Sequence, residues 1–417
     1  MDLQLRIDHQ LVAVQEEATV HAMLQLRAPD APASAERMPL SLAVVIDRSG
    51  SMNGGRLESA KACVRHLAQR LAPTDELAVV VYDDEVNVIV PLGPVNASAV
   101  RAAIDGVYPG GSTNLSGGWL KGMEILRDAA PDRLRRVLLL TDGRANVGIT
   151  EPGVLTNITR EASVQGISTT TIGFGADFDE HLLTSMSDAG GGGAHFAATP
   201  DAGPGIFAGE FEGLVSVVAQ NVSVEVRLAP EVAVLGVLNE YPMVWLDRAV
   251  QIELGDAYGG EERAVIFQMQ IPALASLGPA KVADVVLRYV SVGEQVAAHD
   301  VTVPLTVNVG SAEDAAAAGV DHEVLDEVLI LQAAKARDEA RKRFDEGDFE
   351  GGHNALRTTS AVLRRAKSGP RAKELQAEAD LLDSLVTDVD HSTYSPLSAK
   401  QMHYDSNIRR RSRRPRS

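Results

Sequence analysis

The chain has 417 residues, of which 45% are hydrophobic and 23% charged, and its formal net charge is −18. This length favours several domains over one, because a domain holds roughly 100 to 200 residues. The acidic balance excludes a general nucleic-acid binder, which needs clustered Lys and Arg, and the single cysteine, Cys63, excludes an intramolecular disulfide.

The N-terminal region, residues 1–30, predicts two half-buried strands. Leu3, Leu5 and Ile7 alternate with polar residues, and the same alternation returns from Val20 to Leu26. The first residues contain no apolar stretch followed by a small-residue cleavage site, and no window of about 18 apolar residues occurs in the chain. A cytoplasmic location is therefore expected.

Residues 40–205 predict one doubly wound, Rossmann-like α/β domain. The apolar runs LAVVI, LAVVVY, VLLL and STTTIG do not alternate, which is typical of parallel strands covered by helices on both faces. A helical pattern lies between the first two runs, near residues 57–71. Residues 83–91 read as an edge strand in a hairpin, so a mixed sheet is expected.

Residues 206–310 predict a small antiparallel β-sandwich. Alternating segments such as VSVEVRL, AVIFQMQI and VTVPLTVNV are spaced as in such a domain. The two N-terminal strands have no partners in the α/β region. We therefore expect them to complete the sandwich, with the α/β domain inserted between the two halves.

The C-terminal part predicts a helical region at residues 320–388. Leu325, Leu329 and Ala333 begin an apolar face, and the turn EGDFEGG joins this helix to the next in an αα-hairpin. A third helix is expected to end near Val386. Residues 389–417 are predicted to be a disordered basic tail, and nucleic acid or anionic lipid could bind only there. Its arginines are Arg409, Arg410, Arg411, Arg413, Arg414 and Arg416.

Oxygen-bearing side chains follow the buried strands of the α/β region. The loop that contains Asp47, Ser49 and Ser51 comes directly after LAVVI, at the carboxyl edge where open α/β sheets bind ligands. Gly50 allows a sharp turn between the two serines. A second loop, GGSTN, contains Thr113, and a third, TDG, contains Asp142. Carboxylate and hydroxyl oxygens are hard ligands that suit Mg²⁺ or Mn²⁺ better than zinc or copper.

The three motifs DRSGS, GGSTNL and LLLTDGRAN, in this order, resemble the metal-ion-dependent adhesion site of a von Willebrand factor A domain. The segment TIGFGADFDEHLL and the glycines at 190–193 extend the resemblance. They are similar to bacterial relatives of calcium-activated chloride channel and inter-α-trypsin-inhibitor heavy-chain proteins, over roughly residues 40–310.

This resemblance implies a role for each site residue. Ser49, Ser51 and Thr113 are expected to bind the cation directly, Asp47 directly or through water, and Asp142 through water. All five family positions are filled, which implies an intact site. The family's cation accepts a carboxylate from a protein partner, so the chain is expected to bind a partner that presents an acidic residue.

Two other functions remain open at this stage. A metal-assisted hydrolase would have to use the cation alone, because no Walker A, HExxH, CxxC or GxSxG motif occurs. An exported adhesin or channel-associated protein would follow the animal relatives. The interpretation preferred here is a scaffold or assembly factor that is not an enzyme.

Overall fold

The computed structural model describes residues 1–9, 11–31, 37–292, 296–366 and 369–414. The chain begins with three strands whose apolar residues face inward. They are β1 (Asp2–Ile7), β2 (Val12–Ala13) and β3 (Ala18–Arg27). β1 pairs with β3 in antiparallel register, with Leu5 opposite Leu24.

The α/β region contains a six-stranded mixed sheet. Its strands are β4 (Leu40–Asp47), β5 (Glu76–Tyr82), β6 (Val86–Pro94), β7 (Leu134–Thr141), β8 (Ile167–Phe174) and β9 (Gly191–Ala197). They lie in the order β6-β5-β4-β7-β8-β9, and only β6 runs antiparallel to its neighbour. The predicted mixed sheet with an antiparallel edge strand is confirmed.

Helices cover both faces of this sheet. They are α1 (Arg56–Arg70), α2 (Ala97–Asp105), α3 (Leu115–Arg127), α4 (Pro152–Val164), α5 (Glu180–Ala189) and α6 (Gly203–Leu214), with short 3₁₀ turns at Gly50–Met52 and Pro200–Ala202. In β4, Val44 packs in the core with α1, α2 and α6, whereas Val45 packs with α3, α4 and α5. Burial on both faces explains why these strands are continuous apolar runs. The predicted doubly wound fold is confirmed.

Two mainly antiparallel sheets follow. Their strands are β10 (Val217–Leu228), β11 (Ala233–Val237), β12 (Met243–Leu246), β13 (Ala249–Tyr258), β14 (Glu262–Ile271), β15 (Gly278–Ser291) and β16 (Ala297–Gly310). One sheet has the order β1-β3-β14-β11, and the other β12-β13-β10-β15-β16-β2, in which β2 pairs in parallel with β16. Both contribute to one apolar core, in which Leu24, Val224 and Val265 are fully buried. The N-terminal strands thus lie in these sheets, and the α/β region is inserted between β3 and β10.

The remaining chain is mostly helical. It contains α7 (Ala312–Ala317), α8 (His322–Asp345), α9 (Phe349–Leu363), α10 (Ala372–Asp388), α11 (Pro396–Arg410) and a two-residue strand, β17 (Arg413–Arg414), that pairs with β14. Helices α8, α9 and α10 share a core around Phe344, Leu356 and Leu375. None of the helices in the described ranges combines the length and apolar character needed to cross a bilayer.

The prediction of a disordered segment from residue 389 is wrong for α11. Tyr404, which is 3% exposed, stacks on Phe196 with ring centroids 5.5 Å apart. Lys400 donates a hydrogen bond to the carbonyl oxygen of Phe178 at 2.6 Å. Contacts with another domain therefore order a segment whose own composition is polar.

Three arginines of the predicted basic tail form ion pairs within the molecule. Arg409 pairs with Glu378 at 3.0 Å, Arg410 with Glu240 at 2.5 Å, and Arg411 with Asp188. Because these charges are already neutralised, they do not form the free basic patch expected for nucleic acid or lipid. Arg416 lies outside the described residues.

Candidate metal centre

Three loops meet at the carboxyl edge of the central sheet. β4 ends at Asp47, and its neighbour β7 ends just before Asp142, with Ile46 paired to Leu140. Thr113 lies in the loop before α3, and that loop is tied to the first one because the Gly50 amide donates to the Gly111 carbonyl at 3.2 Å. The parallel strands therefore bring residues that are distant in sequence to one place.

Asp47 is fully buried and holds the first loop in shape. Its Oδ1 accepts a hydrogen bond from the Ser49 amide at 2.8 Å, and its Oδ2 accepts one from the Thr141 hydroxyl at 2.7 Å. Burial raises the pKa of Asp47 to about 6, despite these hydrogen bonds, and the negative charge of Asp142 adds to the rise. Within the described residues this carboxylate has no cationic partner.

Asp142 is also fully buried, and it connects the third loop to the first. The Ser51 hydroxyl donates to Asp142 Oδ1 at 2.7 Å, and the Ser49 and Ser51 hydroxyl oxygens lie 3.0 Å apart. Ser49 is buried, whereas Ser51 is exposed. The group of oxygens therefore faces solvent on the Ser51 side.

Thr113 reaches the same place from the second loop. It is 4% exposed, and its amide donates to Asn146 Oδ1 at 2.9 Å. A methyl group added at Gly143 would lie 3.0 Å from the Thr113 hydroxyl oxygen and 3.5 Å from Asp47 Oδ2. Both oxygens therefore line one small space beside Gly143, and the structure brings all five predicted residues together.

Arg56 also contacts the candidate site, although nothing in the sequence pattern predicted it. Its Nη1 donates to Asp142 Oδ2 at 2.6 Å and to Asp177 Oδ2 at 3.2 Å. The hydrogen bond to Asp142 raises the pKa of Arg56. Gly175 has a φ of +69°, and an added Cβ there would lie 2.8 Å from Arg56 Nη2, so this glycine makes room for the guanidinium.

Thr141 was also missed as a contributor, although it stands in the LLLTDG motif. Its hydroxyl bonds to Asp47, as described above. The sequence could have pointed to Thr141 and Arg56 only through their positions, since Thr141 is the last residue of β7 and Arg56 the first of α1. Neither position reveals the direction of its side chain.

The oxygens present fit a hard divalent cation. Two carboxylates and three hydroxyls converge, and only one of the carboxylates, Asp142, has a cationic partner. A second positive charge would compensate Asp47, which is costly to bury alone. Within the described ranges, no group of three or more His, Cys, Asp or Glu side chains could hold a metal. This centre is of a different kind, because hydroxyls supply three of its five side chains. A donor set this rich in hydroxyls suits Mg²⁺ or Mn²⁺.

Comparison with known families and proteins gives consistent results. Residues 41–206 match the model of the von Willebrand factor type A domain. The chain is 25% identical over 360 residues to the uncharacterized protein sll0103 of Synechocystis sp., covering 84% of each. It is 28% identical over 256 residues to the E3 ubiquitin-protein ligase WAV3 of Arabidopsis thaliana, covering 58% of this chain and 32% of that protein.

The chain also matches an animal protein. The human inter-alpha-trypsin inhibitor heavy chain H4 is 28% identical over 172 residues, which is 39% of this chain and 18% of that protein. The chain thus spans less than a third of the length of the plant and human relatives, although it spans most of the cyanobacterial one.

Solved structures share the fold over nearly the whole chain. A von Willebrand factor type A protein from Catenulispora acidiphila superposes with a TM-score of 0.73 and 18% identity, covering 97% of this chain and 96% of that one. The ArnB paralog VWA2 from Sulfolobus acidocaldarius superposes with a TM-score of 0.64 and 16% identity, covering 98% of this chain and 98% of that one. These structures therefore share the arrangement of the α/β region, the two further sheets and the helical region. At these identities the likeness concerns the fold alone.

Proposed function

We propose that this chain is a divalent-metal-dependent protein-interaction module, built on the von Willebrand factor type A domain that residues 41–206 match. The cation, Mg²⁺ or Mn²⁺, is held by oxygens of Asp47, Ser49, Ser51, Thr113 and Asp142. When bound, it supplies a positive charge that accepts a carboxylate from a partner protein. The chain acts as a scaffold or assembly factor.

The observation that carries this proposal is the convergence of the five side chains at one solvent-facing edge. Four of them are buried to 4% exposure or less, and the fifth, Ser51, is exposed. Buried oxygens hold a cation from below, and the exposed side leaves room for an outside ligand. The few charged ligands keep such a cation attractive to a carboxylate.

Hydrolysis is less well supported than binding. A general base must be free to take a proton from water. Asp47 is occupied by the Ser49 amide and the Thr141 hydroxyl, and Asp142 by the Ser51 hydroxyl and Arg56. The ligase activity named for the plant relative does not enter the proposal, because this chain spans only 32% of that protein.

Direct cation binding is the first test. We expect Mn²⁺ titrated into the full chain to bind at one site, as counted by electron paramagnetic resonance, and Mg²⁺ to displace it. Asp47→Asn keeps the size of the side chain but removes its charge, and should abolish binding. Asp132→Asn changes an exposed aspartate elsewhere and should leave binding intact. Equal Mn²⁺ binding by all three proteins would contradict the assignment of the site.

Partner binding is the second test. We expect immobilised wild-type protein to retain partners from a native extract in Mg²⁺ and to release them in EDTA. Asp47→Asn should fail to retain the same proteins, whereas Asp132→Asn should retain them. Partners that are indifferent to both EDTA and Asp47→Asn would show that the chain binds them by another surface.

A further inference from the structure

The surface around the metal centre carries an uneven charge. The strand order β5-β4-β7 places the loop after β4 between the loops that follow β5 and β7. Asp84 and Glu85 lie exposed after β5, and Arg144 lies exposed after β7. Within the part of the chain that the structure describes, none of the three forms an ion pair. A ligand above the centre thus meets the unpaired negative charges of Asp84 and Glu85 on one side and the unpaired positive charge of Arg144 on the other, where the exposed Asp177 is paired with Arg56.

Apolar side chains are exposed on the loops that carry the site. Tyr108 is 73% exposed and precedes the loop of Thr113. Val147 is 36% exposed, and its amide donates to the Thr113 carbonyl at 3.3 Å. Exposed aromatic and aliphatic groups beside polar contacts are typical of surfaces that bind protein segments.

We propose that the partner binds as an extended segment with two acidic residues two positions apart, one bound by the cation and the other by Arg144. This inference rests on the proposed function and names its partner. Arg144 follows Asp142 by two residues, so their Cα atoms lie within about 7 Å of each other. In an extended chain, side chains two positions apart share a face and lie about 7 Å apart. Because Asp142 and Arg144 stand two residues apart in one loop, both positive charges lie within reach of acidic side chains two positions apart.

The charge distribution also decides on which side of the cation the second acidic residue lies. Its second acidic group lies on the Arg144 side, because Asp84 and Glu85 repel a carboxylate on the other side. Nucleic acid also offers repeated negative charges. It fits less well, because the protein carries a net charge of −18 and Tyr108 and Val147 offer apolar contacts to side chains.

A random peptide library displayed on phage tests the proposal with the full chain. Selection in Mg²⁺, after removal of clones that bind in EDTA, should enrich peptides with acidic residues at two positions separated by one. Selection on Arg144→Gln should keep one acidic position and lose the second. Selection on Arg144→Glu should replace the second acidic residue by Lys or Arg. Arg357→Gln, which changes an exposed arginine of α9, should select the same peptides as wild type.

Affinities of the synthesised peptides give the magnitude. Arg144→Gln should weaken the wild-type peptide about 3-fold and Arg144→Glu about 10-fold, as expected for a solvent-exposed charge at an interface. Mn²⁺ should still bind at one site in both variants without peptide, which shows that the metal centre is intact.

The outcomes separate the two levels of the proposal. If no peptide is enriched in a Mg²⁺-dependent way, the proposed function and this inference are both overturned. Enrichment of a single acidic residue, unchanged by Arg144 variants, overturns this inference and leaves the proposed function standing. A labelled twelve-residue oligothymidylate that binds more tightly than the selected peptides would assign the surface to nucleic acid instead.

Discussion

Arg56 Nη1 lies 2.6 Å from Asp142 Oδ2, so one of the two carboxylates of the candidate metal centre has a cation of its own chain. The other, Asp47, is equally buried, and its carboxylate accepts hydrogen bonds from the Ser49 amide and the Thr141 hydroxyl. The centre therefore keeps an uncompensated negative charge, because Arg56 is shared between Asp142 and Asp177. A divalent cation would complete it, and Arg56 would remain beside that cation as a second positive charge.

Arg56→Gln should make the protein less stable without metal and more responsive to Mg²⁺. Removing one partner of a buried ion pair costs about 1–3 kcal/mol here, because Arg56 is partly exposed. Loss of its charge also favours a nearby cation. Thermal melts over a Mg²⁺ series should show a lower midpoint without metal and a larger rise with metal than in wild type.

Arg65→Gln is the matched control for this substitution. Arg65 lies on the same helix and pairs with Asp105 at 2.5 Å, away from the metal loops. This variant should show the wild-type response to Mg²⁺. An equal response in Arg56→Gln and Arg65→Gln would mean that Arg56 does not sense the bound cation.

Gly143→Ala should weaken metal binding while the domain stays folded. The added methyl group would lie 3.0 Å from the Thr113 hydroxyl oxygen, so that oxygen must move by a few tenths of an ångström. We expect the Mn²⁺ dissociation constant to rise about 10-fold, which corresponds to about 1.4 kcal/mol. At Gly110, in the neighbouring loop, an added methyl group meets no atom within 4 Å. Unequal affinities of the two alanine variants are therefore expected, and equal ones would place Thr113 outside the site.

Local sequence patterns predicted most of the architecture because burial repeats with the period of each element. In β4, consecutive residues face opposite helix layers, so the run is apolar throughout. The resemblance to the von Willebrand factor A domain is confirmed by the family match over residues 41–206. The order of the strands in the two antiparallel sheets was not available from alternation, since alternation fixes which face is buried and not which strand is the neighbour.

Helix α11 shows why the C-terminal prediction was wrong. Ser395 caps it by accepting a hydrogen bond from the Ser398 amide, and Pro396 occupies its first turn, so local start signals were present. Its buried face, however, contains Lys400 and Tyr404. Charged residues there find partners such as Glu180 from another domain. A periodicity of apolar residues cannot reveal burial that depends on such distant ion pairs.

The sequence could predict those residues of the candidate site that stand at the ends of strands. Asp47 and Asp142 follow adjacent parallel strands, so their proximity follows from the fold class. Arg56 was not predictable, because a residue in the first turn of a helix can point to solvent or inward. Its direction is decided by Asp177 and by the space at Gly175, which come from a loop more than 100 residues away.

Acid should remove a stabilising contribution of Glu210. Burial alone would raise its pKa, but hydrogen bonding and the charges of His195 and Arg136 lower it to about 2. A carboxyl whose pKa is lower in the folded than in the unfolded protein stabilises the fold above its unfolded pKa of about 4.5. This contribution, at most about 3 kcal/mol, is lost as the pH falls from about 4.5 towards 2.

Urea unfolding at several pH values measures this effect. The difference in unfolding free energy between wild type and Glu210→Gln should be largest at pH 7 and should shrink below about pH 4.5. Glu212→Gln changes an exposed glutamate of the same helix and should have little effect at any of these values. A difference between wild type and Glu210→Gln that is constant from pH 7 to pH 3 would contradict the assigned role of the charge.

Tyr404→Ala should detach helix α11 from the α/β domain. The ring lies against Phe178 and Phe196, with centroid distances of 6.3 and 5.5 Å, and its removal leaves a cavity that costs about 3 kcal/mol. The ring packs in the core of the α/β domain, and α11 also packs against α8. The loss of the ring should therefore appear as faster amide hydrogen exchange within Pro396–Arg410. Tyr404→Phe keeps the ring and should keep the protection, and Tyr108→Ala removes an exposed ring at no such cost. Unchanged exchange in Tyr404→Ala would mean that the packing against α8 and the ion pairs hold the helix in place without the ring.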